Sequence, residues 1–314
     1  MLTFRLDHYI AGAMTPFQFH VTNVVLHTVV CGLYYLVCTK IFDAASPAFA
    51  AALLFTVHSI HSEAVANIVG RAEVLAGVFY LAAVLLYSRA ASHTDPTRTG
   101  WLSLLMSLGC AAAAMLSKEQ GITVLGVLAV YDVGLVCRVG PLAALSGLLR
   151  GEAAGGFAPG LRARLVAIAA TGAGLLAFRV WMMGEGQPIF NEYELPALSH
   201  PDLTTRVLTF SWYAVINAGL LLFPLNQSSD WSYGSIPLVQ TIADPRFVLI
   251  ALFYVAVTFA VAKSVFWSPG PKMHNLSFAP VFGFGWLFLA YLPSSNLLFK
   301  VGFVIAERIL FLPR

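Results

Sequence analysis

Charge is what this sequence has least of. Only 11% of its 314 residues are Asp, Glu, Lys or Arg, while 59% are hydrophobic and the mean hydropathy is +0.79. An average soluble domain is roughly a quarter charged, so a soluble fold is excluded. The net charge of +3, with no Lys/Arg block, argues against nucleic acid and against a polybasic lipid-binding tail. Only four cysteines are present, Cys31, Cys38, Cys110 and Cys137, each inside or at the end of an apolar run, which excludes a disulfide framework and leaves them as small packing residues. The opening "MLTFRLDHYI" is not a signal peptide, because Arg5, Asp7 and His8 interrupt its first turns. No 34-residue helical repeat and no separate soluble domain are visible.

Long apolar runs are what the sequence has most of. They cover 18–40, 46–60, 72–90, 101–117, 121–138, 163–183, 206–224, 246–267 and 277–293. An apolar run of about 20 residues crosses roughly 30 Å of hydrocarbon as a helix, so the expected class is all-α and polytopic, with about eight to nine spanning segments. Lys and Arg in short loops favour the cytoplasm. On that rule the loop flanked by Arg138, Arg150, Arg162 and Arg164 is cytoplasmic, as are Lys40, Arg89, Arg98, Lys263 and Lys272. Residues 58–71, 117–121 and 184–206 then lie on the opposite side. If 225–245 lies there too, as Asp230, Asp244 and the sequon Asn226-Gln227-Ser228 indicate, 206–224 must be re-entrant or interfacial.

The few ionisable residues gather in three places. "HSIHSEAVANIVGRAEV" carries His58, His61, Glu63, Arg71 and Glu73 between two apolar runs. Interface polarity explains any one of them, but ionisable groups within spans normally face a bundle interior or a pathway. His-x-x-His-x-Glu offers possible metal ligands, yet His-Glu-x-x-His is absent and no metal is assigned. "MLSKEQGITVL" breaks an apolar stretch with Ser117, Lys118, Glu119 and Gln120, and "NLLFKVGFVIAERILFLPR" places Glu307 and Arg308 in another, with Lys300 nearby. Cations, histidines and carboxylates at one rim fit a lipid-linked phosphate, a transported anion or a proton relay.

"FHVTNVVLH", "HSIHSEAVANIVGRAEVLAG", "LSKEQGITVLGV", "DWSYGSIPLV" and "SSNLLFKVGFVIAERILFLP" together resemble the transmembrane and tetratricopeptide-repeat (TMTC) family of protein O-mannosyltransferases, over nearly the whole chain. The resemblance implies a GT-C glycosyltransferase-like helical bundle over 1–314. Within it, about 186–260 corresponds to the family's domain of unknown function. It further implies a multi-pass protein of the endoplasmic reticulum membrane that transfers mannose from dolichyl-phosphate mannose to Ser or Thr of lumenal proteins such as cadherins, without a cofactor. By the same resemblance His58, His61 and Glu63 line the donor–acceptor cavity, Arg71, Lys118 and Arg308 bind the donor phosphate, and Glu73, Glu119 and Glu307 orient those cations. The family's acidic motif in a first lumenal loop and its C-terminal repeats match nothing here, so the resemblance implies a partial chain, inactive alone. A polytopic transporter or a non-catalytic lipid-phosphate-binding scaffold is the alternative reading of the same charges.

Overall fold

The computed structural model describes residues 2–42, 44–92, 98–138, 160–184, 196–225, 227–228, 231, 234–266, 275–297 and 301–313. Among these, every regular element is helical. The helices are α1 (Leu2–Ala11), α2 (Pro16–Ile41), α3 (Ala45–Thr56), α4 (His61–Ala66), α5 (Arg71–Ser92), α6 (Arg98–Ser117), α7 (Val124–Tyr131), α8 (Leu161–Met183), α9 (Pro196–Ser199), α10 (Leu203–Leu222), α11 (Arg246–Phe266) and α12 (Asn275–Tyr291). Short 3-10 turns at Glu119–Thr123, Leu292–Ser294 and Glu307–Phe311 and a π-helical turn at Asp132–Val136 complete the set. Seven stretches of described residues are long and apolar enough to cross a membrane, so the chain is an all-α, multi-pass membrane protein.

Local chemistry sets several boundaries. Pro16 opens α2, where its missing N–H is no loss because the first helical N–H groups lack intrahelical partners. Between α6 and α7 the backbone turns so tightly that a Cβ on Gly121 would strike the backbone of Ala114, so only glycine fits. The core forms around α5, whose Val74, Ala76, Tyr80, Ala83, Val84 and Tyr87 are all buried between its neighbours. By contrast α8 and α11 bury very little of their length and present apolar faces outward, as lipid-facing helices do.

Polar contacts at the two ends of α5 define two levels. One, the Glu73 end, gathers Glu73, Lys118 and Arg308. The other, the Asp132 end, gathers Tyr87, Asp132 and Arg164. Among the described residues the seven stretches that qualify as spans lie in α2, α5, α6, the 119–136 stretch, α8, α10 and α11, while α3 and α12 are shorter apolar helices. Arg164, one of the cations that the charge pattern puts beside the 138–164 loop, pairs with Asp132 at this second level. Lys272 and most of the loop between Arg138 and Arg162 fall outside the described residues.

Two segments depart from simple passes. At 12 residues α3 spans only about 18 Å, and Phe55 near its end stacks on Tyr34 of mid-α2, with ring centroids 4.3 Å apart. The pass is completed by α4, whose far end is reached by the Asn23 amide donating to the carbonyls of Val65 and Asn67. The helix is broken at 57–60, where Ile60 is buried and His58 half-buried while Val57 and Ser59 are exposed. The second departure is α10. It is long enough to cross, but Trp212 lies 6.0 Å from the Arg246 guanidinium, Asn217 donates to the Tyr291 hydroxyl, and Tyr213 and Leu220 pack with Ile60, Ile309 and Leu310. The packing of Tyr213 and Leu220 with Ile60, Ile309 and Leu310 places this part of α10 against the Glu73 end.

Candidate functional site

The helix break between α3 and α4 positions the histidines. His58 Nδ1 accepts from the N–H of Ile60 at 3.2 Å, satisfying a donor that the interruption would otherwise strand. His61 is buried against Phe55, 4.3 Å between ring centroids, and Phe311, 4.8 Å, with His27 at 5.5 Å. These rings form an apolar floor one turn deeper than the charged rim. Among the described residues no three His, Cys, Asp or Glu converge closely enough to hold a metal ion.

Above that floor the charges divide into two groups. Arg71, at the start of α5, is fully buried: its Nη1 lies 2.6 Å from Asp7, its Nε donates to Asn23 Oδ1 at 2.8 Å, and its Nη2 donates to the Phe19 carbonyl at 2.9 Å. The Phe4 ring covers the guanidinium at 4.3 Å. This arginine ties α1, α2 and α5 together and is turned away from the exposed rim.

The second group meets at Glu73. Lys118 Nζ reaches Glu73 Oε1 at 2.7 Å, and Arg308 Nε lies 3.7 Å from the same oxygen. Glu63, on α4, holds Arg308 twice: Oε2 accepts from its backbone N–H at 2.8 Å and Oε1 lies 3.1 Å from Nη1. Exposure separates the signs. The side chains of Lys118 and Arg308 are 35% and 36% exposed, those of Glu73 and Glu63 only 3% and 12%. A buried carboxylate is tolerable only when paired. Here the pairing leaves the carboxylates inside and turns the cations outward. The cluster is neutral in sum, but the face it shows is cationic.

Glu119 is largely exposed and pairs with Arg179 at the end of α8, beside this face. Glu307 is buried and accepts from the Ser228 N–H at 2.6 Å, pinning the 227–228 stretch to the C-terminal turn. Removal from water pushes its carboxyl above the usual range, an effect the Ser228 N–H partly opposes. Lys300, Asn226 and Asp230 lie outside the described residues.

Residues 301–313 therefore close the Glu73 end of the bundle. Phe311 enters above α5 where Gly77 leaves room: a Cβ there would come within 2.9 Å of the Phe311 ring. Trp286 donates to the Leu312 carbonyl at 2.8 Å and holds the inner end of the segment.

Sequence reasoning missed several partners. Asp7 and Asn23 give no signal of their pairing with Arg71, since both lie far away in the chain. Asp132 was legible as a lone acid in an apolar run, yet its bidentate partner Arg164, at 2.7 and 2.8 Å, reads as a loop-flanking cation.

Comparison with known proteins adds an independent line. Residues 184–258 match the family model described as protein O-mannosyl-transferase TMTC, DUF1736. The chain is 35% identical to human protein O-mannosyl-transferase TMTC4, with 100% of the chain and 44% of that protein covered. It is 36% identical to Tmtc3 of Drosophila melanogaster, covering 100% of the chain and 37% of the relative, and 32% identical to tmtc2 of Xenopus laevis, covering 99% and 43%. The chain thus spans less than half the length of these curated relatives. No solved structure matches it.

Proposed function

Because the chain is TMTC-family sequence from end to end, we propose that it forms the donor-facing part of a protein O-mannosyltransferase in the endoplasmic reticulum membrane. The donor is dolichyl-phosphate mannose and the acceptors are Ser or Thr hydroxyls of lumenal proteins, cadherins among them, with the Glu73 end facing the lumen. Residues 1–314 make up the GT-C-like membrane domain, and about 186–260, including α10, is the family-specific unit that closes its lumenal end.

The observation that carries this reading is the outward-facing pair Lys118 and Arg308, bridged by Glu73 at the membrane rim. When the sugar–phosphate bond breaks, negative charge gathers on the departing lipid phosphate. Two cations already in place stabilise that charge without reorganising, and the arginine adds directional N–H donors. Glu63 and Glu73 hold the cations without occupying their exposed faces. Arg71 acts one layer below, fixing α1 and α2 to the start of α5, and the His58–His61 floor keeps water from the underside. The hydroxyl proton is taken by a carboxylate of the family's acidic motif. Glu119, paired with Arg179, borders the face.

Lys118→Met and Arg308→Met, placed in a full-length protein that also carries the family's acidic motif and assayed as mannosyl transfer from dolichyl-phosphate mannose while it remains monodisperse, are each expected to lower the rate by about 10²- to 10³-fold, the usual cost of removing one preorganised charge donor. Transfer at the wild-type rate by both variants would exclude the assignment.

A further inference from the structure

The two cations come from segments far apart in the chain, and electrostatics alone does not set the gap between them. We propose that Gln120 is the positioning residue that fixes this gap, so that Lys118 and Arg308 address a single lipid phosphate. The inference rests on the donor-phosphate reading above.

Gln120 is 3% exposed and stands two residues from Lys118 in the break between α6 and α7. Its side chain points inward and Lys118 points outward, so one short turn carries both. The Nε2 group donates to two carbonyls: Ala290, in the last turn of α12, and Ile309, at 3.1 Å, the residue after Arg308. The final carbonyls of a helix have no intrahelical donor, so the Ala290 oxygen needs such a partner. The Ile309–Leu310 peptide, one residue beyond Arg308, is thereby anchored by Gln120, and the Arg308 N–H is anchored by Glu63.

A closed ring results. Lys118 bonds to Glu73, Glu73 attracts Arg308, Arg308 continues to Ile309, and the Ile309 carbonyl returns through Gln120 to the turn that bears Lys118. Cutting this ring at Gln120 leaves both cations and both carboxylates in place, with Glu63 and Trp286 still holding 301–313, but removes the direct link between Ile309 and the turn that bears Lys118. A neutral amide suits the position chemically. It offers two N–H donors to two carbonyl oxygens, whereas a carboxylate would face them with like charge and an aliphatic side chain would leave both unsatisfied. No exposed atom of Gln120 is available to touch a donor, so it acts through Arg308.

The test is a double-mutant cycle on binding of dolichyl phosphate to the purified protein in nanodiscs. Gln120→Met keeps the volume and removes the donors. Alone it is expected to weaken binding about tenfold, with a smaller effect on a neutral dolichol control. In an Arg308→Met background the same change is expected to have almost no further effect, because what it positions is gone. Equal losses in both backgrounds would overturn the proposal, as would unchanged binding by Gln120→Met. If Arg308→Met and Lys118→Met themselves bind like the wild type, the donor-phosphate reading fails and takes the Gln120 inference with it. Should Gln120→Met not fold, Gln120→Glu replaces it, read at pH 5 and pH 7.5. A neutral acid restores one donor, so binding relative to the wild type at the same pH recovers at the lower pH, the ratio cancelling the titration of the phosphate itself, and a ratio that does not change with pH would count against the ring.

Discussion

Glu307 shows how burial and pairing compete within one side chain. Desolvation raises its carboxyl above the ordinary value near 4.5, and the Ser228 N–H restores only part of what water gave. A group whose pKa is higher folded than unfolded binds more protons in the folded state, so its contribution to stability is present at low pH and falls as pH rises through that window. Glu307→Gln keeps an acceptor oxygen for Ser228 and removes the charge. Thermal unfolding in detergent should therefore show the variant equal to the wild type near pH 4.5 and at least as stable above pH 7; a variant less stable at high pH would show that the charged form is the favoured one. At this scale the sequence reveals residue types but not allegiance. Arg71, Lys118 and Arg308 are equally visible as cations in apolar surroundings, yet Asp7, Asn23 and the Phe19 carbonyl claim the first, while Glu73 gathers the other two. Only tertiary contacts between distant segments decide such sorting.

Among the elements, the stretch from Lys118 to Val136 changes character most often. It passes from a 3-10 turn through α7 into a π-helical turn at Asp132, and each change serves a polar contact. The π turn brings Asp132 against Arg164 with two charge-assisted hydrogen bonds and lets Tyr87 donate at 2.5 Å. Breaking a buried pair by removing one partner costs about 3–5 kcal/mol, because the other charge is left desolvated. Arg164→Met is expected to lower the unfolding temperature sharply, and Asp132→Asn in the same chain should recover part of the loss; an unchanged melting curve for Arg164→Met would show the pair to be dispensable. Long apolar helices such as α2, α5 and α6 were legible from their runs, because length and hydropathy decide them directly. The interruption between α3 and α4 was not, since residues 46–60 read as one apolar run. Beside the break Phe55, His61 and Phe311 pack ring against ring, a contact between distant segments that no local pattern encodes.

For the whole molecule, α10 decides how many times the chain crosses. Its apolar content qualifies it as a span, while Tyr213 and Leu220 pack with Ile309 and Leu310 at the Glu73 end. The charge pattern makes 206–224 re-entrant or interfacial if 225–245 shares the side of 184–206, and site-specific labelling decides between that and a crossing. Cysteines placed singly at Asp202 and Leu225, in a background with the four native cysteines replaced, should both react with a membrane-impermeant maleimide from the same side of sealed vesicles. Labelling from opposite sides would mean that α10 crosses.

The order of synthesis gives the closing segment a further meaning. The helices described all precede residues 301–313 in the chain, so Glu63 and the Gly77 notch are made before Arg308 and Phe311, which fill them. Of the described residues, those that complete the cationic face are therefore made last. A nascent chain stalled before residue 301 would carry the helices described but lack Arg308, so Lys118 would stand at the rim without its partner cation.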